Sequence, residues 1–193
     1  MMLDAAVYDY WWRDFQAQLV ENSSTGIPLQ ILSNAGNARS YGLEIDSAWR
    51  PLRGLELQIN ANLLHTLITS GPFAGEGLSN APKATLGAVV RYELPLGAWP
   101  LKLQLQVDGR AQSGVRFRLT QAVPALGYQS GFGILNARIG VASLEDIWTV
   151  SIWGRNLADK RYLVDVFDQS PINVLQIWNV PRTFGVSVEY QLQ

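Results

Sequence analysis

A chain of 193 residues with a net charge of −1 is the length of one domain or of a piece of one, and that charge balance offers no basis for nucleic-acid binding. Apolar residues make up 48% and charged residues only 16%, below the roughly 25% charged share of an average soluble protein. There is no cysteine, so disulfides and thiolate metal sites are excluded, and no apolar run reaches the ~20 residues of a membrane helix.

The chain reads as a series of strands. Residues 5–20 open it, with Phe15, Ala17 and Leu19 on one parity and Tyr8, Tyr10 and Trp12 on the other, which predicts a bulge or a two-sided segment near Arg13. A loop rich in Asn, Ser, Gly and Pro fills 21–36, with a short extra strand expected over 27–32. Over 37–50, Tyr41, Leu43, Ile45 and Trp49 alternate with Glu44, Asp46 and Arg50, and a tight turn follows at 51–54. The cleanest strand is 55–69, where Leu55, Leu57, Ile59, Ala61 and Leu63 oppose Glu56, Gln58, Asn60 and Asn62. A loop at 70–82 leads to a strand at 83–94, a short turn at 95–98, and a strand in which Leu101, Leu103, Leu105 and Val107 alternate with Lys102, Gln104, Gln106 and Asp108. After a long loop at 113–129, Leu135, Ala137, Ile139 and Val141 form the next apolar face, and Leu144-Glu145-Asp146 turns into a closing hairpin, 146–193. Its last arm alternates from Phe184 to Leu192, and its loop, 168–180, carries Pro171.

This is an all-β chain: an antiparallel meander of about eight long strands and no convincing helix. Connections alternate long and short, the long ones all at one end. Transmembrane β-barrels have that asymmetry, and soluble up-and-down barrels are the competing architecture. Alternation does not itself say whether the apolar face meets core or lipid. Three features favour lipid. Trp49, Trp99 and Trp148 each sit on the apolar face beside a short turn, and with Tyr190 they form an interfacial aromatic belt. The opposite face is dense in Asn, Gln and charge, and the strands reach the ~9–11 residues a tilted membrane strand needs. Met1-Met2-Leu3-Asp4 lacks the basic start and apolar core of a signal peptide, which leaves a cytosolic chain or one whose N-terminus lies upstream; the strand pattern favours the second.

Several stretches resemble the TonB-dependent outer-membrane receptor family. Gly154-Arg155-Asn156-Leu157-Ala158-Asp159-Lys160-Arg161-Tyr162 resembles its Asn-Leu-x-Asp-Lys-x-Tyr stretch. Pro181 to Tyr190 resembles the closing strand, Asn34 to Glu44 the opening of an earlier strand with Gly-x-Glu, and Asn80-Ala81-Pro82-Lys83 the start of a descending strand. The resemblance implies that residues 1–193 form a partial outer-membrane β-barrel domain, the C-terminal segment of a larger barrel, without plug domain or earlier strands. It implies uptake of a scarce ligand, most plausibly a ferric siderophore, through the outer membrane of a Gram-negative bacterium. The partners it implies are outer-membrane lipid, the rest of the receptor barrel and its plug, the TonB complex acting through N-terminal parts outside this chain, and the barrel-assembly machinery. Family members usually finish on an aromatic residue, whereas here Gln191-Leu192-Gln193 follows Tyr190.

Candidate chemistry is sparse. Arg91, Arg110, Arg138 and Arg155 fall on the polar face as candidate ligand or plug contacts, with pairing to neighbouring Glu and Asp as the plainer expectation. His65, the single histidine, stands near a strand end without companions for a metal site. His65, Ser70 and Ser113 lack any supporting catalytic motif. Phe73, Phe117, Tyr128 and Phe167 are loop aromatics that could cradle a ligand or pack the loops. No enzyme activity and no cofactor are expected. A stand-alone eight-stranded membrane barrel with a structural or adhesive role, and a soluble barrel for a small ligand, remain as alternatives.

Overall fold

The structure, a computed structural model, describes residues 1–24, 26, 28–119, 127–169 and 173–192. Its strands in chain order begin with β1 (Met2–Trp12), β2 (Gln16–Asn22), β3 (Pro28–Asn34), β4 (Ala38–Trp49) and β5 (Leu55–Ile68). Next come β6 (Ala84–Pro95), β7 (Leu101–Gln112), and the two-residue β8 (Val115–Arg116) and β9 (Tyr128–Gln129). The last are β10 (Phe132–Ser143), β11 (Trp148–Arg155), β12 (Leu163–Gln169), β13 (Asn173–Trp178) and β14 (Thr183–Tyr190). Eight of them form one antiparallel sheet in the order β1-β4-β5-β6-β7-β10-β11-β14. No helix of the described residues is long and apolar enough to cross a membrane, and crossing falls to strands.

Period two fixes which residues share a face, and the register joins those faces across the sheet. Ile59, Ala88 and Gly109 are successive cross-strand partners on the apolar face, and Glu56, Arg91 and Gln106 on the polar one. The three short turns each place one residue in the left-handed region: Gly54 (φ 82°), Gly97 (φ 47°) and Asp146 (φ 57°).

The apolar face is not covered. Val7 is 85% exposed and Val188 72%, although both are β-branched residues in mid-strand. A soluble sheet of this size would bury such a face, so its solvent is lipid. The packed apolar core of the described residues lies instead among the long connections. There Val115, Phe117 and Val166 are buried, with Leu163 and Val174 against them.

Several expectations change. The first strand is two strands, β1 starting at Met2 and β2 belonging to another sheet. They are separated by a left-handed Asp14 (φ 50°) rather than a bulge at Arg13. The extra strand is Pro28–Asn34 and pairs with β2; Ile27 lies outside the described residues. The loop over 168–180 contains β13, which pairs with β12 as a hairpin beyond the main sheet, while Pro171 lies outside the described residues. Trp99 belongs to the turn between β6 and β7, not to a strand face. The stand-alone eight-stranded barrel requires β1 to pair with β14, yet these are the two edges of the sheet.

Candidate functional site: the polar face and its loop mouth

On the polar face, neighbouring strands place long polar side chains side by side, and these close into a hydrogen-bonded ladder. Glu56 accepts from Arg50 at 2.8 Å and from Gln58, and lies 3.7 Å from Arg91. Arg91 Nε donates to Gln106 Oε1 (3.1 Å), Gln106 to Asp108 (2.9 Å), and Asn136 to the other Asp108 oxygen (2.7 Å). Arg138 donates to Ser151 Oγ (3.0 Å) and to Glu189 (2.7 Å), tying β10 to β11 and β14. Near the short turns, Lys102 bridges Glu93 (3.0 Å) and Asp146 (2.7 Å), pinning the β10–β11 turn to β6 and β7. Charges arranged this way are partly desolvated but paired, the condition under which they are tolerated.

Toward the loops the polar face becomes aromatic. Tyr8, Tyr10 and Trp12 follow one another along β1, with ring centroids 5.5 and 6.2 Å apart, and Trp12 Nε1 donates to Ser40 Oγ (3.3 Å). Tyr8 lies across its partner Gly42, where a Cβ would meet its ring. Trp153 lies the same way across Gly185 and donates to Ser187 Oγ (3.0 Å). Glycine opposite an aromatic ring is how a strand makes room for a flat side chain. Arg110 donates to Tyr162 Oη (3.1 Å), and Tyr162 stacks on Phe132 at 3.8 Å. Arg118 pairs with Asp165 (3.0 Å) beside Phe167. Tyr10 and Trp12 remain about half exposed, so this mouth offers rings and guanidinium groups to a ligand.

The four arginines singled out from sequence thus divide. Arg91 and Arg138 belong to the ladder, Arg110 to the mouth, and Arg155 lies over the Trp153 ring at 4.9 Å. Of the belt residues, Trp148 and Tyr190 are direct cross-strand partners, Trp49 pairs with Leu57, and Trp99 projects from its turn. Of the loop aromatics, Phe117 is core, while Tyr128 is half exposed. Ser70 and Ser113 hydroxyls accept backbone N–H groups of Asn37 (2.9 Å) and Ala84 (3.1 Å). No group of three or more metal-ligating side chains exists among the described residues. The Tyr8-Tyr10-Trp12 ladder was missed as a site; its shared parity was the signal.

The stretch carrying the sequence resemblance is a clasp. Asn156, buried and left-handed (φ 52°), accepts from Lys160 N (2.9 Å) and donates to the carbonyls of Lys160 (3.0 Å) and Val180 (3.4 Å). Asp159, also left-handed, accepts from Arg182 N (2.8 Å), and Asn179 accepts from Tyr162 N (2.9 Å). The clasp ends β11 and delivers the chain to the start of β14.

Comparison with known proteins follows the same geometry. The pesticin receptor of Yersinia pestis is 25% identical over 189 residues, 96% of this chain and 26% of the receptor, and that of Yersinia enterocolitica serotype O:8 matches equally. The chain spans about a quarter of the length of these relatives. Among solved structures, the ferric yersiniabactin uptake receptor FyuA from Yersinia pestis superposes with a TM-score of 0.79 at 23% identity, over 96% of this chain and 27% of FyuA. The copper transporter OprC superposes with a TM-score of 0.73 at 16% identity, over 97% of this chain and 28% of OprC. The family model described as TonB dependent receptor-like, beta-barrel, matches residues 1–157, and the chain belongs to that family of outer-membrane receptors.

Proposed function

We propose that this chain is the C-terminal barrel wall of a receptor that takes up a ferric siderophore across the outer membrane. The observation that carries it is the change along the polar face, from a self-paired ladder at the short turns to exposed rings and guanidinium groups at the loop mouth. A ladder whose charges are already paired suits a wall against which a plug seats; Arg91, Arg138 and Arg155 are its contacts in this reading. Arg110 with Tyr162, and the Tyr8-Tyr10-Trp12 ladder, are the ligand-facing groups. The relatives' names, a pesticin receptor and a ferric yersiniabactin uptake receptor, support an iron chelate as cargo. The TonB complex supplies energy from the periplasmic side, and the barrel-assembly machinery inserts the wall through β14. The chain acts as a transport element with no catalytic step of its own.

Uptake of a radio-iron-labelled chelate by cells carrying or lacking the gene tests this. Deletion should abolish accumulation under iron limitation, and Arg110→Ala should weaken it about ten-fold, the scale of one charge-assisted hydrogen bond. Unchanged uptake of every iron chelate after deletion would sink the proposal.

A further inference from the structure

The apolar face of the eight-stranded sheet carries Asp, Arg or His side chains in one place only. Asp9, Tyr41 and His65 are successive cross-strand partners on β1, β4 and β5, and Arg39 is the next outward residue beyond Tyr41. Every other outward position of the eight strands is apolar, aromatic, Gly or Ser. Asp9, Arg39 and His65 are all close to the loop ends of their strands.

Their arrangement is built. Arg39 donates Nε to Asp9 Oδ1 (3.0 Å) and Nη2 to Asp9 Oδ2 (2.6 Å). Its guanidinium carbon lies 4.4 Å from the Trp11 ring centroid and 5.0 Å from that of Tyr41, and Tyr41 stacks on His65 at 4.9 Å. The remaining guanidinium N–H bonds have no acceptor among the described residues, and the Arg39 side chain stays 37% exposed. Arg39, Tyr41, His65 and Asp9 line an open hollow of about 460 Å³, and Lys83 lines it too.

Ionisable groups on a lipid-facing surface are costly and therefore signal use. An ion pair alone would gain nothing there over two apolar residues. Here the guanidinium keeps N–H bonds beyond those its carboxylate accepts, and Trp and Tyr mark headgroup depth. The leaflet on the loop side of an outer-membrane barrel carries phosphorylated glycolipid. We propose that this hollow binds a phosphate-bearing lipid headgroup of that leaflet, with Arg39 as the anion donor, His65 as a further N–H donor and Asp9 holding the guanidinium in place. The site faces away from the polar face, so it is independent of ligand uptake.

The test uses the full polypeptide that carries these residues, extracted from outer membranes in mild detergent. Native mass spectrometry would read retention of lipid A bearing two phosphates against lipid A bearing none. The phosphorylated lipid should be held at least about ten-fold tighter, and Arg39→Gln should lose that margin. Asp9→Asn should raise retention, because the amide oxygen still accepts one guanidinium N–H and so keeps Arg39 in place, while the competing anion is gone. The idea is overturned if the two lipids bind alike or Arg39→Gln matches the parent. It is equally overturned if Arg53→Gln, at a short turn, causes the same loss, or if millimolar inorganic phosphate displaces the lipid entirely. Heat-modifiable gel mobility shows which variants are folded; should Arg39→Gln not fold, His65→Gln and Asp9→Asn carry the same test, and weakening by Asp9→Asn would count against the site.

Discussion

The two faces of the main sheet are written by the same alternation but obey different rules. The outward face is held by its solvent: Phe184, Val186, Val188 and Tyr190 contact little protein and are each about two-thirds exposed. The inward face is held by itself, through Glu56, Arg91, Gln106, Asp108 and Asn136 in sequence. Polar residues tolerate exchange on the inward face as long as a partner remains; on the outward face depth alone decides the cost.

That contrast can be broken most sharply at mid-strand. Ile139→Arg, outward on β10, should cost about 2–4 kcal/mol of folded stability in a bilayer, read as a lower urea midpoint. Gln106→Arg on the inward face should stay much closer to the parent, and equal losses would erase the distinction between faces. Next in size, Lys102→Met leaves Glu93 and Asp146 adjacent without their cation and should cost about 1.5–3 kcal/mol; high salt would relieve part of the loss. Gly185→Ala drives a methyl into the Trp153 ring and should cost about 1–3 kcal/mol, with Trp fluorescence shifting as the ring moves. Smallest is Arg116→Ala, whose pair with Glu76 (2.7 Å) is about half exposed on both sides. It should change stability by about 0–1 kcal/mol.

The strands of the main sheet were legible because a half-buried strand and a lipid-facing strand share period two, and runs such as 55–63 keep it without a fault. The architecture of the connections was not. Asp14 accepts a left-handed backbone that sequence treats as an ordinary strand position, so β1 and β2 read as one. The hairpin β12–β13 hides where Ser and Pro signal a loop, whereas the short extra strand over 27–32 was visible and only its pairing with β2 was not. Likewise the outward trio of Asp9, Arg39 and His65 is scattered over three strands, and only the register between them makes it one site. The belt was half visible: Trp148 and Tyr190 meet as cross-strand partners, whereas the fit of Trp99 to a strand face failed because its turn extends further than the alternation suggested.

The clasp at Asn156 also bears on how the wall is made. β11 and β14 must find each other across a long connection, and Asn156 already bonds the Val180 carbonyl 24 positions away. Closing a loop of that length is an entropic cost met before any ladder bond forms. A preformed knot at its neck would shorten the effective loop and set the starting pair Arg155 with Thr183. A slip of one residue at that starting pair would turn every valine of the last strand from lipid to water. Asn156→Ala should therefore slow insertion and multiply misregistered products more than it lowers the urea midpoint of the finished wall.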